Sequence, residues 1–259
     1  MKYRSLSAIA GLVLVAGTAS ASASTITLSF EDRNDAFGGV SSNVTVRYGR
    51  DWYNQISTAA GGFHMQDDAG NSLIAWCLDL FGALTDDHTY ETTESPFSGR
   101  QIAATTLANI QSLFDTNYKN LDLDDDGQSG GFQLALWEVL YERTDTYNID
   151  GGDYGDRGSF YAKSRGTDED AVTWANKFLG NIANDTTGKI FDLTFYDADA
   201  LTEEWKKIWW NIDYQDLVSA SEIPPSQTPE VPLPATAWLL GGGLAALFGI
   251  GRRRKAVTA

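Results

Sequence analysis

One cysteine, Cys77, in 259 residues rules out an intrachain disulfide, so a core must hold this chain together. The composition permits that. Aromatic residues make up 12 %, eight of them Trp, enough for a substantial interior and too many for a disordered segment. The lone cysteine becomes informative beside the N-terminus. Lys2 and Arg4 precede an apolar run over 8–16, and Ala21-Ser22-Ala23 offers a small-residue cleavage site. That order reads as a signal peptide over 1–23. Exported domains meet an oxidising space and carry cysteines in pairs, so an unpaired one implies an intermolecular bridge or a thiol with its own chemistry.

The C-terminus has three parts: Val231-Pro232-Leu233-Pro234-Ala235, an apolar stretch over 235–250, and Arg252-Arg253-Arg254-Lys255. The stretch is slightly under the roughly 20 residues that span a bilayer, and the basic cluster would stay on the cytoplasmic side. This tail resembles the VPLPA variant of the PEP-CTERM sorting signal. The resemblance implies transient membrane attachment through the C-terminal helix, cutting by an exosortase-type protease, and release to the cell surface or extracellular matrix. Residues 24–222 form one domain, 223–230 a Pro-rich linker, and 231–259 the sorting signal.

The formal charge is −16. Losing Lys2 and Arg4 at one end and four bases at the other removes six positive charges and no acid, leaving −22. So acidic a surface excludes nucleic acid as a partner, because that binding depends on bases neutralising phosphates.

Short apolar runs between Gly, Asn and Asp predict strands over 25–30, 43–48, 62–66 and 72–80. Ala103, Leu107, Ile110 and Phe114 predict a helix over 99–115. Phe132, Leu136, Val139 and Leu140 predict another over 129–142 with Ser129 as N-cap. A loop over 145–166 precedes a third helix marked by Ala171, Trp174, Ala175 and Phe178. Strands return over 190–196 and 213–218, with 205–210 ambiguous. The expected class is α+β: a β-sandwich or barrel-like sheet with an inserted helical subdomain.

Trp76-Cys77-Leu78-Asp79 followed by Phe132-Gln133-Leu134-Ala135-Leu136-Trp137-Glu138 resembles the thioester domains of bacterial surface proteins. The resemblance covers about 72–141 and implies a bond between the Cys77 sulfur and the Gln133 carbonyl carbon. Trp76 stands where Tyr is commoner, and the stalk usual in that family is missing from this sequence. Trp76, Phe132 and Trp137 would shield the bond from water, and Asp79 and Glu138 are candidates to orient the site or take a proton from an incoming amine. The alternatives for these residues are an inert core thiol, an ordinary helical Gln, a core Trp, and an Asp that satisfies a local backbone donor.

Asp122, Asp124 and Asp126 match the start of a calcium loop, D-x-D-x-D-G. Its twelfth position is Gln133 in place of the bidentate Glu. No other cofactor is indicated. His64 and His88 are the only bases available to a cysteine hydrolase, and neither sits in a motif for that role. No two carboxylates are fixed as a glycosidase pair. The expectation is therefore a non-enzyme: an exported surface or matrix protein that attaches covalently to an amine- or hydroxyl-bearing protein or polysaccharide. The alternative is a non-covalent structural or carbohydrate-binding component of an exopolysaccharide matrix.

Overall fold

The computed structural model describes residues 24–48, 55–94, 97, 102–143, 146–149, 159–165, 170–185, 188–198 and 214–224. The predicted signal peptide, the 205–210 segment and the sorting signal with its apolar stretch lie outside them. Among the described residues no helix is long and apolar enough to cross a membrane. The chain divides into two units, Met1–Ala220 and Ser221–Ala259, and only 221–224 of the second are described.

Six strands close into a barrel: β1 (Thr25–Phe30), β4 (Phe63–Asp67), β5 (Ser72–Cys77), β9 (Leu217–Glu222), β8 (Phe191–Asp197) and β6 (His88–Thr93), in that order around it. A separate three-stranded sheet runs β3 (Gln55–Ala60), β2 (Ser42–Tyr48), β7 (Phe160–Ser164). Helices α1 (Ala104–Asn117), α2 (Asp126–Tyr141) and α3 (Asp170–Ile182) lie in sequence between the strand groups, with β7 between α2 and α3. The expected α+β class, with a barrel-like sheet and inserted helices, is what forms.

Register assigns the barrel's two faces, because paired residues share a face and neighbours along a strand alternate. Phe63 pairs with Ala75, Phe30 with Met65, Ile26 with Tyr90, Thr92 with Tyr196, and Cys77 with Leu217. Leu28, Met65, Ala75, Cys77, Tyr90, Tyr196 and Leu217 therefore share one face, all buried. The Tyr196 and Ser219 hydroxyls hydrogen-bond on it at 2.8 Å. Trp76 and Val218 occupy the other face, and Trp76 meets the helices there, 4.6 Å between ring centroids from Phe132. The face bearing Cys77 is thus the barrel interior, and the face bearing Trp76 is the seam with the helices.

The β4–β5 hairpin shows how local sequence sets register. Asp67 Oδ1 accepts from the backbone N–H of Ala69 and Asn71, and Gly70 takes φ +80°, a conformation costly for residues with a Cβ. Asp67 is held below its ordinary pKa, first by the Asn71 side chain and then by Asn71 N–H.

Three strands escape the sequence pattern. β3 (QISTAA) is rich in small residues, β6 (HTYETT) is mostly polar, and β7 interrupts the segment expected to be loop. The third runs antiparallel to β2 from Val44↔Ser164 to Tyr48↔Phe160, a partnership made across more than a hundred residues. The last strand begins at Leu217, four residues later than expected. Ser129 is not an N-cap. The helix starts one turn earlier, where Asp125 Oδ1 accepts from Gln128 N at 2.7 Å, a carboxylate at the positive end of the helix dipole.

Candidate functional site

Helix α2 is buried along its whole middle, from Ser129 to Val139. Two adjacent glycines permit this. A Cβ on Gly130 would lie 2.6 Å from Ser42 of β2, and one on Gly131 would lie 2.6 Å from the Trp174 Cβ of α3. The bare backbone lets α2 press against the three-stranded sheet on one side and α3 on the other. Ser42 Oγ completes the first contact by donating to Asp126 O at 2.8 Å.

Ser129, Gln133, Trp137 and Tyr141 follow one another at steps of four, forming one stripe along α2. Three of them bond to barrel backbone. Ser129 Oγ accepts from Gly62 N at 3.1 Å. Gln133 Oε1 accepts from Cys77 N at 2.9 Å, while its Nε2 donates to Cys77 O at 2.8 Å. Tyr141 Oη donates to Leu78 O at 3.2 Å and accepts from Leu80 N at 3.3 Å.

The Gln133 pair fills a place the sheet leaves open. Leu78 N donates to Asp216 O, toward β9, so Cys77, one residue back, turns its N–H and C=O toward β4. The last ladder pair there is Phe63↔Ala75, and continued register would set Gly61 opposite Cys77. Instead the chain bends through Gly61-Gly62 to reach β3. A Cβ on Gly61 would lie 2.8 Å from Val40 O, and one on Gly62 2.6 Å from Ile74. The carboxamide takes the missing strand's part, leaving neither it nor the Cys77 backbone unsatisfied. Gln133 is fully buried.

The structure thus brings Cys77 and Gln133 together, with the Trp76 and Phe132 rings packed against each other at a tilt beside them. Phe114 and Tyr118 extend that cluster, with centroids 5.0 and 5.6 Å from Phe132. Burial pushes the Cys77 thiol well above its usual pKa, and the charge of Asp79 adds to the effect. The group is a neutral thiol at pH 7. Tyr90, on the same interior face, is also pushed up, by burial first and then by Cys77 and Asp216. Only register identifies Tyr90 as a neighbour of the thiol; no local sequence signal marks it. Tyr141 was legible in principle, from its eight-residue spacing to Gln133.

Asp79 bonds far along the chain. Its Oδ2 accepts from Asp216 N at 2.8 Å and its carbonyl accepts from Gln215 Nε2, so it fixes the approach to β9 beside Cys77. Trp137 is buried, and its Nε1 has no hydrogen-bond partner among the described residues. Glu138, five positions from Gln133, points round the helix from the stripe. It is fully buried; Oε1 accepts from Asn148 N at 2.9 Å and Oε2 has no partner among the described residues. Burial, partly offset by the Asn148 bond and reinforced by Glu142, pushes its carboxyl up to about 8, so it is mainly the neutral acid at pH 7.

The acidic loop before α2 is organised around its own backbone. Asp122 Oδ1 accepts from Asp124 N at 3.1 Å, Gln128 Oε1 accepts from Asp122 N at 3.2 Å, and Asp125 caps the helix. Asp122, Asp124 and Asp126 are not gathered round a point: among the described residues no three His, Cys, Asp or Glu are placed to hold a metal ion. His64 and His88 lie elsewhere. His64 is 3.9 Å from Glu31, and His88 packs against Tyr90 and Tyr214. Val231 to Ala235 lie outside the described residues.

No family model matches the chain, and no curated protein matches it. Among solved structures it is similar to the N-terminal domain of the Streptococcus pyogenes pilus tip adhesin Cpa. The two share 10 % identity over 71 % of this chain and 95 % of that one, with a TM-score of 0.38.

Proposed function

We propose that the chain is an exported surface or matrix protein in which Cys77 and Gln133 condense to an internal thioester that captures a partner covalently. The observation that carries this reading is the paired hydrogen bonding of the Gln133 carboxamide to the Cys77 main chain. It holds that carbonyl carbon beside the residue bearing the thiol, which replaces a bimolecular encounter by a positioned one.

In the first step Sγ attacks Cδ of Gln133. The C–N bond breaks, the thiol proton passes to the departing nitrogen, and ammonia leaves. A thiol kept neutral by burial supplies that proton. In the second step a primary amine attacks the thioester carbon, forming an amide at Gln133 and returning the proton and sulfur as a Cys77 thiol. A hydroxyl would give an ester by the same exchange. Each molecule reacts once, so the protein is a reagent, not a turnover enzyme. The aromatic cluster on the seam excludes water from one side of the bond. Segment 1–23 would direct export. Segment 231–259 would hold the chain in the membrane until an exosortase-type protease cut it, leaving it free to meet a surface protein or polysaccharide.

Intact mass of the folded protein tests the reading. The expected mass is one ammonia below that of the sequence, methylamine adds to it, and Cys77→Ala abolishes both effects. An unmodified mass, with a thiol that titrates only on denaturation, would sink the thioester and leave the non-covalent matrix role standing.

A further inference from the structure

Away from the seam, α1, α3 and residues 146–148 surround an open cavity of about 740 Å³, a volume typical of small-molecule sites. Its walls differ in kind. Leu179, Ile182 and Ala183 form an apolar side, while Asn109, Asn148 and Asn176 set three carboxamides around the rest. No charged residue lines it among the described residues.

Two of the carboxamides are anchored by one atom and spare at the other. Asn109 Nδ2 donates to Tyr147 Oη at 2.6 Å, and Asn109 Oδ1 has no partner among the described residues. Asn176 Oδ1 accepts from Ile149 N at 3.1 Å, and its Nδ2 has none. One fixed acceptor and one fixed donor therefore line the same cavity. The helices carrying them are locked further along, where Asn181 Nδ2 donates to Asn117 Oδ1 at 2.7 Å and Ser112 Oγ to Asp185 Oδ2 at 2.7 Å.

We infer that this cavity binds a neutral, hydroxyl-rich ring: a hexose unit, free or within a glycan. A hydroxyl both donates and accepts, so neighbouring ring hydroxyls satisfy the spare acceptor and donor together. The ring's C–H face suits the wall of Leu179, Ile182 and Ala183. An anion would meet no base here and a chain of net charge −16. A cation would meet no carboxylate, and a purely apolar ligand would strand the carboxamides. The inference is independent of the thioester, and Cys77→Ala leaves the cavity's binding unchanged.

Saturation-transfer NMR on the full-length chain tests it, with glucose, galactose and mannose set against glucuronic acid and glucosamine. A glycan bearing the preferred hexose then separates a free sugar from a polymer unit. The structure supplies two variants. Gly180 lines the cavity, and a Cβ there meets nothing within 4 Å, so Gly180→Phe fills the space without a clash at its root. Asn176→Asp keeps the acceptor for Ile149 N and removes the spare donor. Transfer to at least one neutral hexose is expected, with binding about tenfold weaker in each variant. No transfer to any neutral hexose, equal binding of the charged sugars, or undiminished binding in either variant overturns the inference. If Gly180→Phe does not fold, Asn176→Asp alone decides.

Discussion

Helices α2 and α3 lie against each other yet treat glycine in opposite ways. In α2, Gly130 and Gly131 are sites of closest approach, where a methyl group would collide with Ser42 and with Trp174. In α3, Gly180 faces open space. The central helix is buried all round from Ser129 to Val139 and keeps the Gln133 carboxamide away from water. The outer helix buries Ala171, Ala175 and Phe178 and turns Asn176, Gly180 and Ile182 to an open cavity. Burial on every side would suit the middle of α2 to the proposed water-sensitive bond, whereas a helix with one open side suits the proposed reversible binding.

The contrast can be broken by experiment, and the largest effect belongs to Glu138. Its carboxyl is raised by the fold, to about 8, from an unfolded value near 4.5. The folded state therefore holds a proton that the unfolded state releases between those pH values. The stability this confers is complete below about pH 4.5 and is lost as pH rises through about 8. Relative to Glu138→Gln, which retains an acceptor for Asn148 N, wild type should lose on the order of 5 kcal/mol across that window. Urea titrations at several pH values read the difference, and parallel pH curves for the two proteins would refute the assignment.

Gly131→Ala comes next, with a cost of about 2–3 kcal/mol expected because the new methyl overlaps Trp174 and the Ala171 carbonyl. An unchanged denaturation midpoint would mean that α2 and α3 pack less closely than described. Gln133→Leu should cost about 2 kcal/mol, since it leaves the Cys77 N–H and C=O unbonded beneath the helix. Faster amide exchange at Cys77 is the accompanying sign, and a protected amide would show another group filling the gap. The smallest effect has the opposite sign. Gly180→Ala should stabilise by roughly 0.5 kcal/mol, the helix-propensity gain at a site without steric conflict, and a loss of stability there would show that the cavity wall is tighter than it looks.

Much of the site could be read in sequence because its members lie in two short runs. Trp76 to Asp79 and Phe132 to Glu138 each sit on one element, and the structure sets those elements against each other. Glu138 shows the limit of that reading: five residues beyond Gln133, it turns away to hold Asn148. Asp79 likewise serves a partner at 216, which no local pattern discloses. The misplaced start of α2 has a similar cause. With apolar and small residues buried all round, its periodicity faded, and Ser129 read as a cap when it is a buried acceptor for Gly62 N.

The residues alone determined the class of fold, the central strands and the three helices, because each depends on side chains close in sequence, and a recognisable pair of motifs pointed to Cys77 and Gln133. Tertiary structure decided how that pair meets. Strand β4 bends away at Gly61-Gly62, and a side chain from α2 completes the ladder in its place. Closure of the barrel put Tyr90 on the thiol's face, β7 was set by the partner it found in β2, and the carboxamide-lined cavity came from two helices packed side by side. Hydrogen bonds and packing between elements far apart in the chain fixed all of these, and such contacts leave no periodic trace in a sequence.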